Sequence, residues 1–118
     1  MHLGEYQAKA MGTCMDSCDN FSYMMLNLVG EVGELASKVA KKIRKGEADI
    51  EGSILVYNEP KKFEKELKLE AGDILWQLSG LCTTMGWKLE DIAQMNLDKL
   101  AARKEAGTID GDGDGIYR

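Results

Sequence analysis

Apolar residues recur along this chain at three- and four-residue steps interrupted by a few glycines, which is the pattern of helices rather than strands. Leu3, Tyr6, Ala10, Met11, Cys14 and Cys18 form a first stripe and predict a helix from about Leu3 to Cys18. Asp16, Ser17, Asp19 and Asn20 then supply a stop and caps for the next element. A second helix is expected from about Ser22 to Lys45 on Met24, Leu28, Val32, Leu35, Val39 and Ile43. It closes with Lys41, Lys42, Arg44 and Lys45, cations that suit a helix C-terminus, and Gly46 stops it. Gly30 and Gly33 interrupt this stretch at about 1 kcal/mol each against alanine, which marks a place where something approaches the backbone closely.

From Gly46 to Glu59 the helical period is lost, and Ile54-Leu55-Val56-Tyr57 is a β-prone run between Gly52 and Pro60. A loop or short strand pair is expected there. Pro60 suits the first turn of a third helix that runs on Phe63, Leu67, Ala71, Ile74, Leu78, Leu81 and Met85 and ends at Gly86. Ile92, Ala93, Leu97 and Leu100 mark a fourth, from about Leu89 to Ala106, with Gly107 as its stop. The expected fold is all-α and four-helix bundle-like, one helical domain over 1–107 followed by a glycine-rich tail over 108–118.

The polar positions repeat as regularly as the apolar ones. With 100° between residues, Asn27, Glu31, Glu34 and Lys38 fall in an arc of roughly 60° beside the second stripe, and Glu66, Glu70, Asp73 and Gln77 do the same beside the third. If the two helices pack antiparallel through their stripes, Glu31, Glu34, Glu70 and Asp73 converge on one cleft. Carboxylates brought that close repel unless a cation neutralises them. All-oxygen ligation, with no histidine or thiolate beside it, selects Mg²⁺, Mn²⁺ or Ca²⁺. The fourth helix carries a basic edge, Asn96, Lys99 and Arg103, whose side chains suit phosphate oxygens. Without its partner, each edge is an ordinary solvated helix face.

Charge and cysteine content remove competing classes. A formal net charge of −5 excludes a duplex nucleic-acid binder, which needs a basic face. No apolar run approaches the length of a membrane span, and the start MHLGEYQAKAMG lacks the build of a secretory signal, so a cytoplasmic protein is expected. Cys14, Cys18 and Cys82 are expected to be free buried thiols, since the chain has a single histidine, His2, and no zinc ligand set. No G-x-x-x-x-G-K-[ST] loop is present, so any phosphate is held by metal and side chains.

GEVGELASK at 30–38, LEAGDILWQL at 69–78 and NLDKLAARKEAG at 96–107 together resemble the MazG-like all-α nucleoside triphosphate pyrophosphohydrolases over nearly the whole chain. The resemblance implies that Glu31, Glu34, Glu70 and Asp73 ligate Mg²⁺, with Mn²⁺ as a substitute. Asn96, Lys99 and Arg103 would hold phosphates, with Lys38 as a weaker candidate. The implied reaction splits a nucleoside triphosphate between its α and β phosphates, giving the monophosphate and pyrophosphate, in service of nucleotide-pool house-cleaning. Either Glu31 or Glu34 would be the general base. The 46–60 segment departs from compact members as an insertion that covers the nucleotide or joins a subunit interface.

Two further expectations concern partners. Trp76 lies away from both the apolar stripe and the acidic edge of its helix, which points to an interface, and a small bundle with such residues gains from pairing as a dimer or dimer of dimers. The rival readings are a MazG-like module that binds nucleotide or metal without turnover, and a purely structural helical dimer.

Overall fold

The computed structural model describes residues 1–107; the expected boundary at 107 and the glycine-rich tail over 108–118 lie at or outside the edge of the described residues. Four helices are present, α1 (Leu3–Met11), α2 (Phe21–Arg44), α3 (Pro60–Thr84) and α4 (Leu89–Glu105), with two short strands, β1 (Ala48–Glu51) and β2 (Ile54–Tyr57), between α2 and α3. The mostly helical fold and the inserted strand pair are those expected.

Local chemistry explains the boundaries. The Asn20 side chain accepts from the Tyr23 backbone N–H at 2.8 Å and caps α2. Pro60 opens α3, and Gly46 and Gly86, both at φ 74°, take the left-handed conformation that ends α2 and α3. The strands pair antiparallel from Ala48 opposite Tyr57 to Glu51 opposite Ile54, joined by a two-residue turn in which Gly52 sits at φ 65°.

The first helix is shorter than its apolar stripe predicts. It stops at Met11 because the Ala10 carbonyl is claimed from outside the helix: by the Thr13 N–H at 3.0 Å, the Thr13 hydroxyl at 2.6 Å and the Trp76 indole N–H at 3.2 Å. Residues 12–20 therefore form turns and a 3₁₀ turn at Asp16–Cys18, and Cys14 and Cys18 end half-buried instead of within a helix. Only Cys82 matches the expected buried thiol, and all three are free. Trp76, expected at an interface, already packs within one chain. It is half-buried against α1, which it anchors through Ala10 and through the Thr13 hydroxyl at 3.0 Å.

The central unit is the α2–α3 pair, with α1 laid on α3 and α4 resting on α1. Gln7 ties α1 to the α3–α4 corner, donating to the Thr83 hydroxyl and the Trp87 carbonyl and accepting from the Leu89 N–H. Among the described residues Met24, Phe63, Leu81, Cys82 and Leu89 are the buried apolar side chains. Several residues expected to face inward do not: Val32, Leu97 and Leu100 are exposed, because α4 has its packing partner in α1 and leaves the outer face of α2 uncovered. None of the described helices is long and apolar enough to cross a membrane.

Candidate metal and phosphate site

Partner numbers along the α2–α3 seam fall on one helix as they rise on the other. Met24 meets Gly80, Asn27 meets Gln77, Lys38 meets Glu70 and Lys42 meets Phe63. The two helices are therefore antiparallel with their polar edges side by side, the geometry that makes two E-x-x-E-type spacings meet. At one point a glycine permits the approach: a Cβ on Gly80 would stand 2.3 Å from the Met24 sulfur.

Three of the four expected carboxylates come together. Glu31, Glu70 and Asp73 each offer an oxygen within 4.8 Å of the other two. Glu34 lies outside this trio on the exposed side of α2, although its charge is felt at Glu31. Burial first, then the charges of Asp73, Glu70 and Glu34, push the Glu31 carboxyl above the usual range, against a lowering hydrogen bond from Asn27. Proton affinity raised by neighbouring carboxylates marks a pocket of negative potential.

These residues fit a hard divalent ion. Oxygens around one octahedral Mg²⁺ at about 2.1 Å lie up to about 4.2 Å apart, comparable with the 4.8 Å within which the trio's oxygens lie, so Glu31, Glu70 and Asp73 would hold such an ion. Among the described residues no thiol or imidazole joins this group, and Lys38 Nζ lies 3.8 Å from Glu70.

Polar residues at the rim hold this arrangement. The Asn27 amide donates to the Gln77 side-chain oxygen at 2.9 Å, and Gln77, 2% exposed, turns its own amide toward the Met24 carbonyl at 3.4 Å. Both residues belong to the arcs read from sequence, yet sequence assigned them no role; their signal was position alone, one turn beyond Glu31 and Asp73. Tyr6 of α1 is the other addition, its hydroxyl pushed up by burial and by the charge of Asp73.

The expected basic edge lies on α4, which packs on α1. Asn96 and Lys99 line a cavity of about 440 Å³ with Ile92, Met95 and Asp98, all from α4 itself. Arg103 is half-buried near the end of the same helix.

Comparison with known proteins agrees with this geometry. The MazG nucleotide pyrophosphohydrolase domain matches residues 19–108, a span that contains the whole α2–α3 pair and α4. The Gene 37 protein of Mycobacterium phage L5 is 36% identical over 121 residues, covering 97% of this chain and 98% of that protein. No solved structure matches. With its domain match over most of the chain and its acidic pair of antiparallel helices, the chain belongs to the MazG nucleotide pyrophosphohydrolase family.

Proposed function

We propose that the protein hydrolyses nucleoside triphosphates, ribo or deoxy, to nucleoside monophosphate and pyrophosphate with Mg²⁺, or Mn²⁺ in its place, as a cytoplasmic house-cleaning enzyme. One observation carries the reading: in a chain of this family, Glu31, Glu70 and Asp73 bring carboxylate oxygens within 4.8 Å of one another across the α2–α3 seam. A divalent ion held by Glu31, Glu70 and Asp73 would supply charge neutralisation on phosphate oxygens and would acidify water. Glu31 or Glu34, one turn apart on α2, would accept the proton of the water that attacks the α-phosphorus. Lys38, beside Glu70, offsets phosphate charge from the same seam. Asn96, Lys99 and Arg103 act on the phosphates once α4 is brought over the carboxylates by substrate closure or by assembly.

The proposed assembly is a homodimer, or a dimer of dimers. Its support is the exposed apolar row Met25, Leu26, Val29 and Val32 on the outer face of α2, together with Met95, Leu97 and Leu100 on α4. The radius of gyration, 17.5 Å, also exceeds the roughly 13 to 14 Å of a compact chain of this length. A second copy covers these faces without a foreign partner.

Pyrophosphate release is measured with each canonical and modified nucleoside triphosphate, with Mg²⁺ and with chelator. Release that needs the metal and is lost in Glu70→Gln and Asp73→Asn supports the enzyme. No release from any nucleotide, with metal-dependent nucleotide binding intact, replaces it with a non-catalytic binding module.

A further inference from the structure

Beside the carboxylate seam lies a second cavity, about 290 Å³, closed by the last turns of α2, the base of the strand pair and the first turns of α3. Its charged walls are Lys38, Lys41, Lys42, Lys45 and Lys62 against Glu47, Glu59 and Glu66, so five lysines face three glutamates in a chain whose net charge is −5. The local sign is opposite to that of the molecule, and such a concavity concentrates anions.

The pocket is braced. Lys42, its side chain 14% exposed, donates to Glu47 at 3.0 Å, lies 3.6 Å from Glu59 and sits 5.3 Å over the Phe63 ring. Glu47 is fixed through its backbone on both sides, accepting from the Asn58 N–H at 2.8 Å and donating to the Lys42 carbonyl at 3.0 Å. Its carboxyl is held below the usual range by the Lys42 hydrogen bond and charge, with Lys45 and Lys62 adding to the effect. Glu59 holds φ 51°, a left-handed conformation found at no other described residue except glycines, and strained backbone of this kind is retained where surrounding structure imposes it. Glu47 and Glu59 both lie against Lys42, so with Glu66 counted the wall keeps an excess of two positive charges, carried on the side of Lys41, Lys45 and Lys62.

The pocket is also continuous with the carboxylate trio. Lys38 belongs to its wall and lies 3.8 Å from Glu70, and Glu66 is one helical turn before Glu70. We propose that this lysine pocket is a binding site for a diphosphate group: the β and γ phosphates of the substrate, and then the pyrophosphate that they become. The assignment of the occupant rests on the pyrophosphohydrolase reading; the affinity for a diphosphate anion does not. The segment that leads into β1 is then part of the anion site, since it places Glu47 against Lys42.

Calorimetry of the full chain with inorganic pyrophosphate, in chelator, tests the site without metal or turnover. Three proteins are compared: wild type, Lys41→Gln/Lys45→Gln/Lys62→Gln, and a control of equal charge change, Lys65→Gln/Lys68→Gln/Lys104→Gln, each checked for unchanged melting. The pocket variant loses roughly tenfold or more in pyrophosphate affinity and the control less than about threefold, since each lysine contributes only a modest, solvent-screened attraction. Equal loss in both, or no binding by wild type, overturns the site. With a hydrolysed nucleotide, the pocket variant raises KM more than it lowers kcat; an unchanged KM overturns the occupant. If no nucleotide is hydrolysed while the pocket variant alone loses pyrophosphate, the enzyme reading fails and the anion site stands.

Discussion

The side chains of Asn27 and Gln77 meet across the α2–α3 seam at 2.9 Å, directly beyond the carboxylates Glu31 and Asp73. Gln77 is buried, and its amide donates to the Met24 carbonyl while its oxygen accepts from Asn27. Gln77→Met keeps the volume and removes the nearest acceptor of the Asn27 amide, leaving it Tyr23 and Glu31; a loss of about 1 kcal/mol is expected in chemical denaturation. Gln77→Ala adds a cavity and is expected to cost about 2–4 kcal/mol. A Gln77→Met protein as stable as wild type contradicts this account of the seam.

Gly80→Ala tests how close the helices stand. Its new Cβ would lie 2.3 Å from the sulfur and 2.5 Å from the terminal methyl carbon of Met24, a residue with no exposed surface. The methionine has to move, and a thermal melt is expected to report a loss of about 1–3 kcal/mol. Combining the change with Met24→Ala is expected to cost less than the two single losses added, because the smaller residue makes the room.

If the carboxylate trio holds the proposed metal, Glu31 couples metal binding to stability. Its carboxyl has a raised pKa in the folded protein, so the folded state holds that proton more tightly than the unfolded state, and stability falls as pH rises through the interval between the two values. At neutral pH the ionised group is a cost. Glu31→Gln is therefore expected to melt slightly higher than wild type in chelator, by at most about 1 kcal/mol of stability. The order reverses in millimolar Mg²⁺, where wild type gains stability by ligation and the variant does not. Melting curves with and without metal check both halves.

Trp76→Phe removes one N–H that reaches both the Ala10 carbonyl and the Thr13 hydroxyl while keeping an aromatic ring against α1. The expected loss is about 1 kcal/mol. It should appear as faster hydrogen exchange in α1 with little change in α2, since α1 packs on α3 and α4 but not along α2. Uniform acceleration across the chain would show that α1 does not open separately.

Sequence by itself determined what depends on periodicity and on local backbone chemistry. The four helices, the stops at Gly46 and Gly86, the break filled by a strand pair, and the two matching arcs of polar residues are all set by spacing along the chain. Tertiary structure decided the rest. Apolar spacing extends the first helix to Cys18, but the Trp76 indole and the Thr13 hydroxyl, 63 residues apart in sequence, hold the Ala10 carbonyl that marks its end. Helical wheels place four carboxylates on facing arcs, whereas the seam brings only Glu31, Glu70 and Asp73 together, because side-chain reach and the rotation of each helix are set by contacts such as Met24 on Gly80. The same wheels give α4 a basic edge but cannot say which helix α4 packs on; in the fold it packs on α1. A one-dimensional pattern specifies which side of a helix is apolar or charged, and only the packing of that helix determines which neighbour the side meets.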